Sequence, residues 1–288
     1  MNPLIIIVAF YPDKSFFENN LSLTAFNYVV IDNTPVSFAW FSDQLQNHCN
    51  VHYIANNANL GIAKGFNQGM EYAYQNGFDL AITMDQDSCL TLDIVESLIR
   101  FYQEYPEKDK VGVISPLHVR PNGTQYNYKN ITMPIAFGVF GMSSGNLLSV
   151  KVWKQIGGFC EPYFIDVVDT EYYARLICHG YLNITLMHVP MVHHLGNFQQ
   201  HTLFGKNFGV LHHNYLRKFY QIRNRLLFIH AYGHVFPELL ILKKSIVLEF
   251  IKVFLYEKDK LRKFFYMFRG IYHYYKMRNN IICPSKFP

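Results

Sequence analysis

The first half of the chain alternates short apolar runs with longer segments of helical periodicity, and this alternation restricts the possible folds more than any other feature. The apolar runs are bounded by Asp, Asn, Pro or Gly and read LIIIVAF, NYVVI, VHYI, DLAITM and VGVIS. Segments such as AKGFNQGMEYAYQNG and TLDIVESLIRFYQEY lie between them. Strands that alternate with helices in this way predict an α/β fold, with a mostly parallel sheet covered by helices.

Polar and aromatic residues follow four of the predicted strands. They are Phe10 and Tyr11, then Asp32 and Asn33, then Asn56 and Asn57, and last Asp85 to Ser88. In parallel α/β sheets, ligands bind beyond the carboxyl ends of the strands. The sequence therefore predicts a binding site at this edge of the sheet.

The composition indicates a chain with a full core. It has 288 residues, 50% of them apolar, which is enough to bury one. No apolar run reaches the roughly 18 residues of a membrane-spanning helix, and the opening MNPLIIIVAF lacks the basic region and cleavage site of a secretory signal. The five cysteines are scattered without a CxxC pair. We therefore expect a cytoplasmic chain with reduced thiols and no zinc site or disulfide framework.

The regular alternation weakens between about residues 117 and 150, where we expect short strands and a loop. Beyond this region, KVWKQIGGF and TEYYARLICHG are typical of helices that end at glycine. LNITLMHVP is typical of a strand that leads to His193 and His194. The chain after about residue 236 is basic and aromatic, and we expect it to be helical.

Asp85 and Asp87 are separated by one residue at the end of a predicted strand, so strand alternation would direct both to one side. Such a pair suits an oxygen-preferring divalent cation, bound directly or through water and phosphate. One alternative is a solvated turn. Another is the nucleophile loop of a haloacid-dehalogenase-type phosphatase, but that loop usually follows the first strand and has Thr or Val where this chain has Cys89.

The segment NNANLGIAKGFNQG supplies Asn59, Gly61 and Asn67 at the start of a predicted helix. Gly and Asn permit tight turns, and the amino end of a helix favours an anion. An ordinary capped loop would have the same composition. The segment contains neither GxxxxGK[ST] nor GxGxxG, so a bound phosphate would need a metal ion instead of a P-loop.

Several motifs occur together in a fixed order: VAFYPD, VIDN, NNANLGIAKGFNQG, ITMDQDS, SGNLLS, GGFCEPYFIDVVDTEYYARLICHGY and VHHLGN. In order and approximate spacing they resemble the family 2 glycosyltransferases with the GT-A fold, over about residues 4 to 230. The DQDS motif together with FID..D.E...R is most similar to the bacterial rhamnosyltransferase branch. The order of the motifs carries the resemblance.

The resemblance implies a nucleotide-sugar site built from strand-end residues. Phe10, Tyr11, Asp32 and Asn33 match positions that hold the base and ribose, Asn59, Gly61 and Asn67 match the donor loop, and Asp85 lies near the ribose. Asp87 matches the principal protein ligand of Mg²⁺ or Mn²⁺ on the diphosphate. Such a metal ion neutralises the leaving nucleoside diphosphate.

The resemblance also implies an inverting reaction with a carboxylate as general base. In FIDVVDTEYYAR, Asp169 matches the base, Asp166 is the alternative, and Glu171 occupies the following acidic position. Val168 replaces the Glu that usually precedes the base, which leaves that supporting role unfilled. A group of acidic residues that caps the following helix is the alternative interpretation.

Two further sets of residues match the edge of such a site. His193 has the spacing of a residue that completes the metal shell or contacts the diphosphate, and His194 is adjacent; pairs also arise by chance among 13 histidines. In RKFYQIRNR, Arg223 matches a diphosphate contact, although a solvated helix face would have a similar pattern. We predict a catalytic domain over residues 1–236, divided near residue 116 into nucleotide-sugar and acceptor halves, and a helical extension over residues 237–288.

The implied activity is transfer of a sugar, L-rhamnose from dTDP-L-rhamnose, to a hydroxyl of a lipid-linked glycan in surface polysaccharide synthesis. Glucose, galactose and N-acetylhexosamine donors occur on the same scaffold. A sugar phosphatase and a catalytically silent sugar-binding module are the alternatives from other classes. Intact Asp85, Asp87 and Asp169 argue against the silent module.

The net charge of +5 arises in the tail, where residues 238–288 contain 11 Lys+Arg and 4 Asp+Glu, against 15 and 17 in residues 1–237. Because the basic residues alternate with Phe, Tyr, Leu and Ile, the tail favours anionic lipid over nucleic acid. We expect the segment after about residue 257 to hold the enzyme on the cytoplasmic face of the inner membrane. For residues 238–256, packing on the catalytic domain is the alternative, and the tail as a whole suits an oligomer interface as well.

Overall fold

The computed structural model describes residues 2–121, 123, 135–138, 141–193, 199–203 and 206–279. The chain divides into two compact units. Of the described residues, the first unit contains those up to Phe164 and those from Val168 to His193, and the second contains residues 165–167, 199–203 and 206–279.

An eight-stranded sheet lies in the described part of the first unit, and its order is β3-β2-β1-β4-β7-β5-β8-β6. Its strands are β1 (Leu4–Ala9), β2 (Tyr28–Asp32), β3 (Val51–Ala55), β4 (Leu80–Asp85), β5 (Val111–Val119), β6 (Ile135–Phe137), β7 (Asn146–Ser149) and β8 (Leu182–Val192). β1 pairs parallel with β2 and β4, β2 with β3, and β5 with β8. The pairs that contain β7 or β6 are antiparallel. The mostly parallel α/β sheet is therefore confirmed.

Helices of the first unit pack on this sheet. They are α1 (Ser15–Asn20), α2 (Ala39–Gln46), α3 (Ile62–Gln75), α4 (Leu92–Glu104), α5 (Val150–Ile156) and α6 (Val168–Cys178), with 3₁₀ turns at Lys108–Lys110 and Glu161–Tyr163. Gly65 and Gly69 let α3 approach the sheet, because a Cβ on either would meet Val8 or Ile6 of β1. The helix is thereby held directly over the strands whose ends form the predicted site.

The core of the first unit consists of apolar side chains from both faces of the central strands. Ile5 and Ile7 of β1 pack with Val30 of β2 and Ile82 of β4, and all are at most 1% exposed. Strands buried on both faces appear in sequence as continuous apolar runs. The first five apolar runs of the sequence became β1 to β5, of which β3 is only partly buried, and the first strand ends at Ala9 instead of Phe10.

The second unit combines a β-hairpin with helices. Its elements are β9 (Gln199–Leu203), β10 (Lys206–Val210), α7 (Tyr215–Tyr232), α8 (Ile241–Tyr256) and α9 (Lys260–Met277), with a 3₁₀ turn at Pro237–Leu240. β9 and β10 pair antiparallel. Ile222 of α7, Ile246 and Val253 of α8 and Met267 of α9 form its buried apolar cluster.

The compact units divide at a different point from our predicted domain boundary at residues 236 and 237. Because α7 packs against α8 and α9, it belongs to the same compact unit as the tail helices. The functional division into a catalytic domain and an extension stays a prediction. In the described part of the chain, no helix is long and apolar enough to cross a membrane.

Candidate active site

The carboxyl ends of three adjacent strands bring the predicted donor-site residues together. In the sheet register, Ala9 of β1 is opposite Asp32 of β2, and Val8 is opposite Asp85 of β4. Asp32 and Asp85 therefore flank the end of β1, from which Phe10 and Tyr11 continue. Both aromatic side chains are exposed and contact each other edge to face, with ring centroids 4.6 Å apart.

Gln86, which lies between Asp85 and Asp87 in the sequence, joins the ends of β1 and β4. Its Oε1 accepts a hydrogen bond from the Phe10 N–H at 2.7 Å, and its Nε2 donates to the Phe10 carbonyl at 3.1 Å. The Asn20 side chain donates to the Gln86 carbonyl at 2.8 Å. Gln86 thus extends the pairing of the two strands by one rung beyond their regular ends.

β4 ends at Asp85, and the chain then turns, with the Ser88 N–H donating to the Asp85 carbonyl at 3.3 Å. Asp87 lies in this turn and is exposed. Strand alternation therefore does not determine the direction of both carboxylates, because the strand ends before Asp87. A turn instead presents the second carboxylate at the strand end.

Asp32 is fully buried and fixes the loop after β2. One of its oxygens accepts from the Thr34 N–H at 2.8 Å and the other from the Tyr53 hydroxyl at 2.8 Å. The Thr34 hydroxyl oxygen accepts in turn from the Tyr11 N–H at 2.9 Å. Burial raises the pKa of Tyr53 to about 12, and the neighbouring Asp32 carboxylate adds to the shift. Tyr53 therefore stays a hydrogen-bond donor to Asp32 at neutral pH.

A chain of side-chain amides connects β2, β3 and α3. Asn56 donates to the Asn33 side-chain oxygen at 2.8 Å and exchanges hydrogen bonds with Gln68. Asn33, which is 2% exposed, donates to the Gly61 carbonyl at 3.0 Å. Asn59 accepts from the Gly61 N–H at 3.1 Å. The predicted donor loop is thereby tied to the strand ends.

The amino end of α3 is occupied by a protein carbonyl group. The N–H groups of Ile62 and Ala63 donate to the Phe164 carbonyl at 2.7 and 3.5 Å. Gly61 has a φ of 84°, and a Cβ there would lie 2.7 Å from the same carbonyl oxygen, so only glycine fits. The prediction that this helix end offers its N–H groups to an anion does not fit these contacts.

Asn67 is directed toward α5 instead of the strand ends. Its Nδ2 donates to the Phe159 carbonyl at 2.9 Å, and its Oδ1 accepts from the Phe159 N–H at 2.7 Å and from the Trp153 indole at 3.2 Å. It also lines a surface cavity of about 670 Å³ beside α3 and α5. These contacts give Asn67 a structural role and do not support its predicted contact with the donor.

Asp85 and Asp87 provide the donor chemistry for a hard divalent cation. Asp85 is half-buried, its N–H donates to the Ser144 hydroxyl oxygen at 3.2 Å, and Ser143 donates to its Oδ1 at 3.5 Å. Among the described residues, no group of three His, Cys, Asp or Glu side chains is arranged to hold a metal ion. Two carboxylates fit Mg²⁺ or Mn²⁺ where phosphate and water supply the remaining ligands.

His193 is joined to the same turn through Ser88. The Ser88 hydroxyl and His193 Nδ1 are hydrogen bonded at 3.0 Å, and both residues are buried. The ring of His118 lies edge to face with His193, with centroids 5.9 Å apart. His118 Nε2 donates to the Ser144 carbonyl at 2.7 Å, which fixes its tautomer. His194 lies outside the described residues.

Burial lowers the pKa of His118 to about 4, and nearby His193 lowers it further, against the opposing hydrogen bond to Ser144. His118 is therefore neutral at pH 7. It links the loop before β7 to the end of β8, and thus helps to place both Ser144, next to Asp85, and His193.

The loop between the Glu161–Tyr163 turn and α6 has an unusual backbone. Phe164, Asp166 and Val167 have φ values of 65°, 62° and 67°. For a β-branched residue such as Val167 this is a true outlier. Strain of this kind persists where the surrounding structure enforces it, and it is concentrated at functional sites.

Asp166 and Asp169, the two candidates for general base, have different surroundings. In the second unit, Asp166 accepts from Arg217 at 3.4 Å, and its carbonyl accepts from Asn224 at 3.0 Å. In the first unit, Asp169 lies in the first turn of α6, and its Oδ1 accepts from the Thr170 N–H at 2.8 Å. Both side chains are half-buried.

The predicted catalytic role of Glu171 does not fit the contacts of this residue. It is fully buried, and its two oxygens accept from Arg175 at 2.9 and 3.0 Å. Arg175, 1% exposed, also donates to the carbonyls of Ile156 and Gly158 at the end of α5. This ion pair joins α6 to α5, so the geometry assigns Glu171 to stability instead of proton transfer.

Replacing Glu171 by Gln should destabilise the protein by about 3–5 kcal/mol, because it leaves the Arg175 charge buried without its carboxylate. Urea denaturation measures this loss. Glu107→Gln is the matched control, because Glu107 pairs with Lys110 on the surface, where such pairs contribute at most about 1 kcal/mol. Equal unfolding midpoints for Glu171→Gln and the control would contradict the structural role.

Arg223, the predicted diphosphate contact, is buried in the second unit. Its guanidinium lies over the rings of Phe219 and Tyr220, and its Nε donates to the Asn224 side chain at 2.9 Å. Asn224 in turn donates to the carbonyls of Ile165 and Asp166. Arg223 therefore does not lie on a solvated helix face. Through Asn224 it helps to hold the strained loop at residues 165 and 166.

Comparison with known proteins shows that the region of this site is similar to an enzyme family. The profile of Glycosyl transferase family 2 matches residues 18–157, which include the ends of β2, β3 and β4. The dTDP-rhamnosyl transferase RfbF of Shigella flexneri is 27% identical, over 85% of this chain and 83% of its own length. The chain is therefore similar to glycosyl transferase family 2 over residues 18–157 and to a rhamnosyltransferase over most of its length, which supports a glycosyltransferase.

Solved structures show the same fold at low identity. The S. aureus TarS fragment 1–349 in complex with UDP matches 67% of this chain with a TM-score of 0.54 and 14% identity. GalNAc-T7 with UDP, GalNAc and Mn²⁺ matches 71% with a TM-score of 0.53 and 12% identity. The match covers 60% of that TarS chain and 44% of the GalNAc-T7 chain. The predicted GT-A fold is thereby confirmed.

Proposed function

We propose that this glycosyltransferase moves L-rhamnose from dTDP-L-rhamnose to a hydroxyl of a lipid-linked glycan, with inversion at the anomeric carbon, in surface polysaccharide synthesis. The main support is the cluster at the ends of β1, β2 and β4, where the aromatic pair Phe10 and Tyr11 adjoins Asp32, Asp85 and Asp87. The similarity to a dTDP-rhamnosyl transferase over 85% of the chain supports the choice of donor.

In this proposal the exposed rings of Phe10 and Tyr11 contact the nucleotide base, and Asp85 binds the ribose. Aromatic rings and buried hydrogen-bonding groups suit a base and a sugar, respectively. Asp32 and Asn33 act mainly by fixing the loops around the nucleotide, because their side chains already bond to Tyr53, Thr34 and Gly61. Gly61 and Asn59 shape the neighbouring loop.

Asp87 and Asp85 would hold Mg²⁺ or Mn²⁺, and His193 lies beside the same turn. When bound, the metal ion would supply positive charge that stabilises the leaving nucleoside diphosphate. The hydrogen bond between Ser88 and Nδ1 of His193 fixes the orientation of the imidazole ring. GalNAc-T7, a structural neighbour, was solved with Mn²⁺.

Asp169 is the proposed general base. It accepts the proton of the acceptor hydroxyl while the new glycosidic bond forms and the bond from the anomeric carbon to the diphosphate oxygen breaks. Asp166 is the alternative base. Its backbone is strained, its side chain accepts from Arg217 and its carbonyl accepts from Asn224.

The lipid-linked acceptor is proposed from the basic and aromatic tail, which suits a position on the cytoplasmic face of the inner membrane. A phosphatase and a silent binding module are the two alternative functions. A phosphatase would release inorganic phosphate from a sugar phosphate without any acceptor. A silent binding module would bind the sugar nucleotide and never transfer it.

Calorimetric titration of the purified protein with dTDP-L-rhamnose and with UDP-linked glucose, galactose and N-acetylglucosamine tests the proposal. We expect dTDP-L-rhamnose to bind at least tenfold more tightly than the others, because base, ribose and sugar are all recognised. Transfer to a lipid-linked acceptor should follow with that donor only. Preference for a UDP-sugar would overturn the donor, and phosphate release without acceptor would overturn the reaction class.

A further inference from the structure

Helices α8 and α9 of the second unit expose a large apolar surface. On α8 the exposed apolar residues are Ile241, Val247, Leu248, Ile251, Phe254 and Leu255. On α9 they are Leu261, Phe265, Phe268, Tyr272 and Tyr275, at alternating intervals of four and three residues. A stripe with this period is one that a helix normally buries. We call these residues the apolar face, and a patch of this kind marks an interaction site.

The opposite sides of the two helices are firmly packed, so the apolar face is presented by a rigid scaffold. Met267 of α9 packs with Ile246 and Val253 of α8 in the buried cluster. Gly270 allows α9 to approach α7, since a Cβ there would lie 2.7 Å from the Phe219 carbonyl oxygen. Of the apolar residues of α8, Ile246 and Val253 are therefore buried, whereas the members of the apolar face stay exposed.

A buried ion network fixes the turn between the two helices. Lys218 of α7 donates to Glu249 of α8 and, at 2.6 Å, to Glu257 in the turn. Glu257 also accepts from Lys263 of α9 at 2.7 Å. Lys218 and the Glu257 side chain are 0% exposed. Breaking such a network is costly, so the two helices keep their arrangement when the apolar face is in contact with water.

The surface around the apolar face is positive. Exposed basic residues accompany it along α9 and the preceding turn: Lys258, Lys260, Arg262, Arg269, Lys276 and Arg278. Several lie over its rings, with Lys260 above Phe254 at 5.7 Å and Lys276 above Tyr272 at 4.8 Å. Asp259 is the single acidic residue in the sequence from 258 to 279.

This charge pattern distinguishes between a second copy of the chain and a lipid surface. Arg262, Arg269 and Lys276 recur every seven residues, each directly after a member of the stripe. In a pair of helices joined through the stripe, these positions need acidic partners, whereas the opposite flank has Phe264 and Ile271. A parallel pair would place these cations against apolar side chains, and an antiparallel pair would bring like charges together. An anionic bilayer accommodates both the apolar side chains and the flanking cations.

We propose that the apolar face of α8 and α9 binds the surface of bilayers that contain anionic lipid. The aromatic and aliphatic side chains enter the boundary between headgroups and acyl chains, and the flanking lysines and arginines contact lipid phosphates. The inference deepens the proposed function, whose lipid-linked acceptor rests on the same tail, but neither sugar donor nor acceptor takes part in vesicle binding. A failed donor assay would leave it unaffected.

Flotation of the full-length protein with vesicles tests the proposal. We expect binding to vesicles of phosphatidylcholine with phosphatidylglycerol, weaker binding to phosphatidylcholine alone, and a decrease with added salt. Combined Leu261→Ala, Phe265→Ala and Phe268→Ala substitutions should weaken binding at least tenfold, because apolar contact area is lost. Lys258→Gln with Lys260→Gln should weaken binding to the anionic vesicles by roughly tenfold or more.

Val36→Ala with Leu92→Ala is the matched control, since both residues are exposed apolar residues of the first unit. It should bind vesicles like the wild type. All substituted positions are exposed, so circular dichroism and thermal unfolding should show intact folds. Equal vesicle binding by wild type and the triple variant would overturn the proposal. So would a wild-type dimer, measured by sedimentation, that ignores vesicles and becomes monomeric in the triple variant.

Discussion

Asp87→Ala is expected to abolish metal-dependent donor binding and to lower the transfer rate by roughly 10³-fold, which corresponds to the several kcal/mol that a metal ion contributes to charge stabilisation. The carboxylate of Asp87 is more exposed than that of Asp85 at the end of β4, so it would be the more accessible ligand for a divalent cation. Without Asp87 the metal ion would bind more weakly, and the negative charges of the donor diphosphate and Asp85 would repel each other. Calorimetry with dTDP-L-rhamnose, with and without Mn²⁺, measures the binding effect.

Asp79→Asn is the matched control for Asp87→Ala, because Asp79 is an exposed aspartate at the opposite end of β4. It should retain wild-type transfer. A chelator should reproduce the effect of Asp87→Ala on the wild-type protein and change the variant little further. Full transfer in excess chelator would show that the reaction needs no divalent ion and would remove the proposed role of Asp87.

The sheet could be predicted from the sequence where a strand is buried on both faces and bounded by turn residues. LIIIVAF and DLAITM are such runs, and they became β1 and β4. The insertion of antiparallel β7 between β4 and β5 could not be predicted, since NLLS carries no information about its partners. The polar segment QQHTL in β9 lacks the alternation that would indicate a strand.

The strand-end cluster of the site could also be predicted, because parallel strands place consecutive polar residues at one edge. The direction of individual side chains could not. Asn67 and Glu171 have suitable chemistry and spacing, yet each is held by a partner distant from the strand ends, Phe159 or Arg175. For Glu171 a signal existed, since Glu and Arg four residues apart often pair on a helix.

His118 lies near the site, but the sequence did not predict it. It is a single histidine inside β5, and its sequence neighbours give no indication that it meets His193 and Ser144. These contacts depend on the parallel pairing of β5 with β8, in which His118 is opposite Met191, two residues before His193. Ser88 belongs to the DQDS motif, but only the fold shows that it bonds to His193.

Asp169→Asn should lower the turnover number by roughly 10²–10⁴-fold, because an amide cannot accept the proton of the acceptor hydroxyl. Donor affinity should change little, since the substitution preserves shape and the oxygen that accepts from the Thr170 N–H. Single-turnover transfer and calorimetric donor binding separate the two effects. The stability of α6 should be nearly retained, because Asn also accepts a hydrogen bond near a helix start.

Asp166→Asn is the discriminating companion to Asp169→Asn. Asn is among the residues that best tolerate the positive φ of position 166, so this variant keeps the strained loop and loses only the charge facing Arg217. If Asp169 is the base, Asp166→Asn should retain most of the turnover. Loss of turnover in Asp166→Asn with full activity in Asp169→Asn would transfer the role to Asp166. The strain at residues 164–167 would then hold the catalytic carboxylate itself.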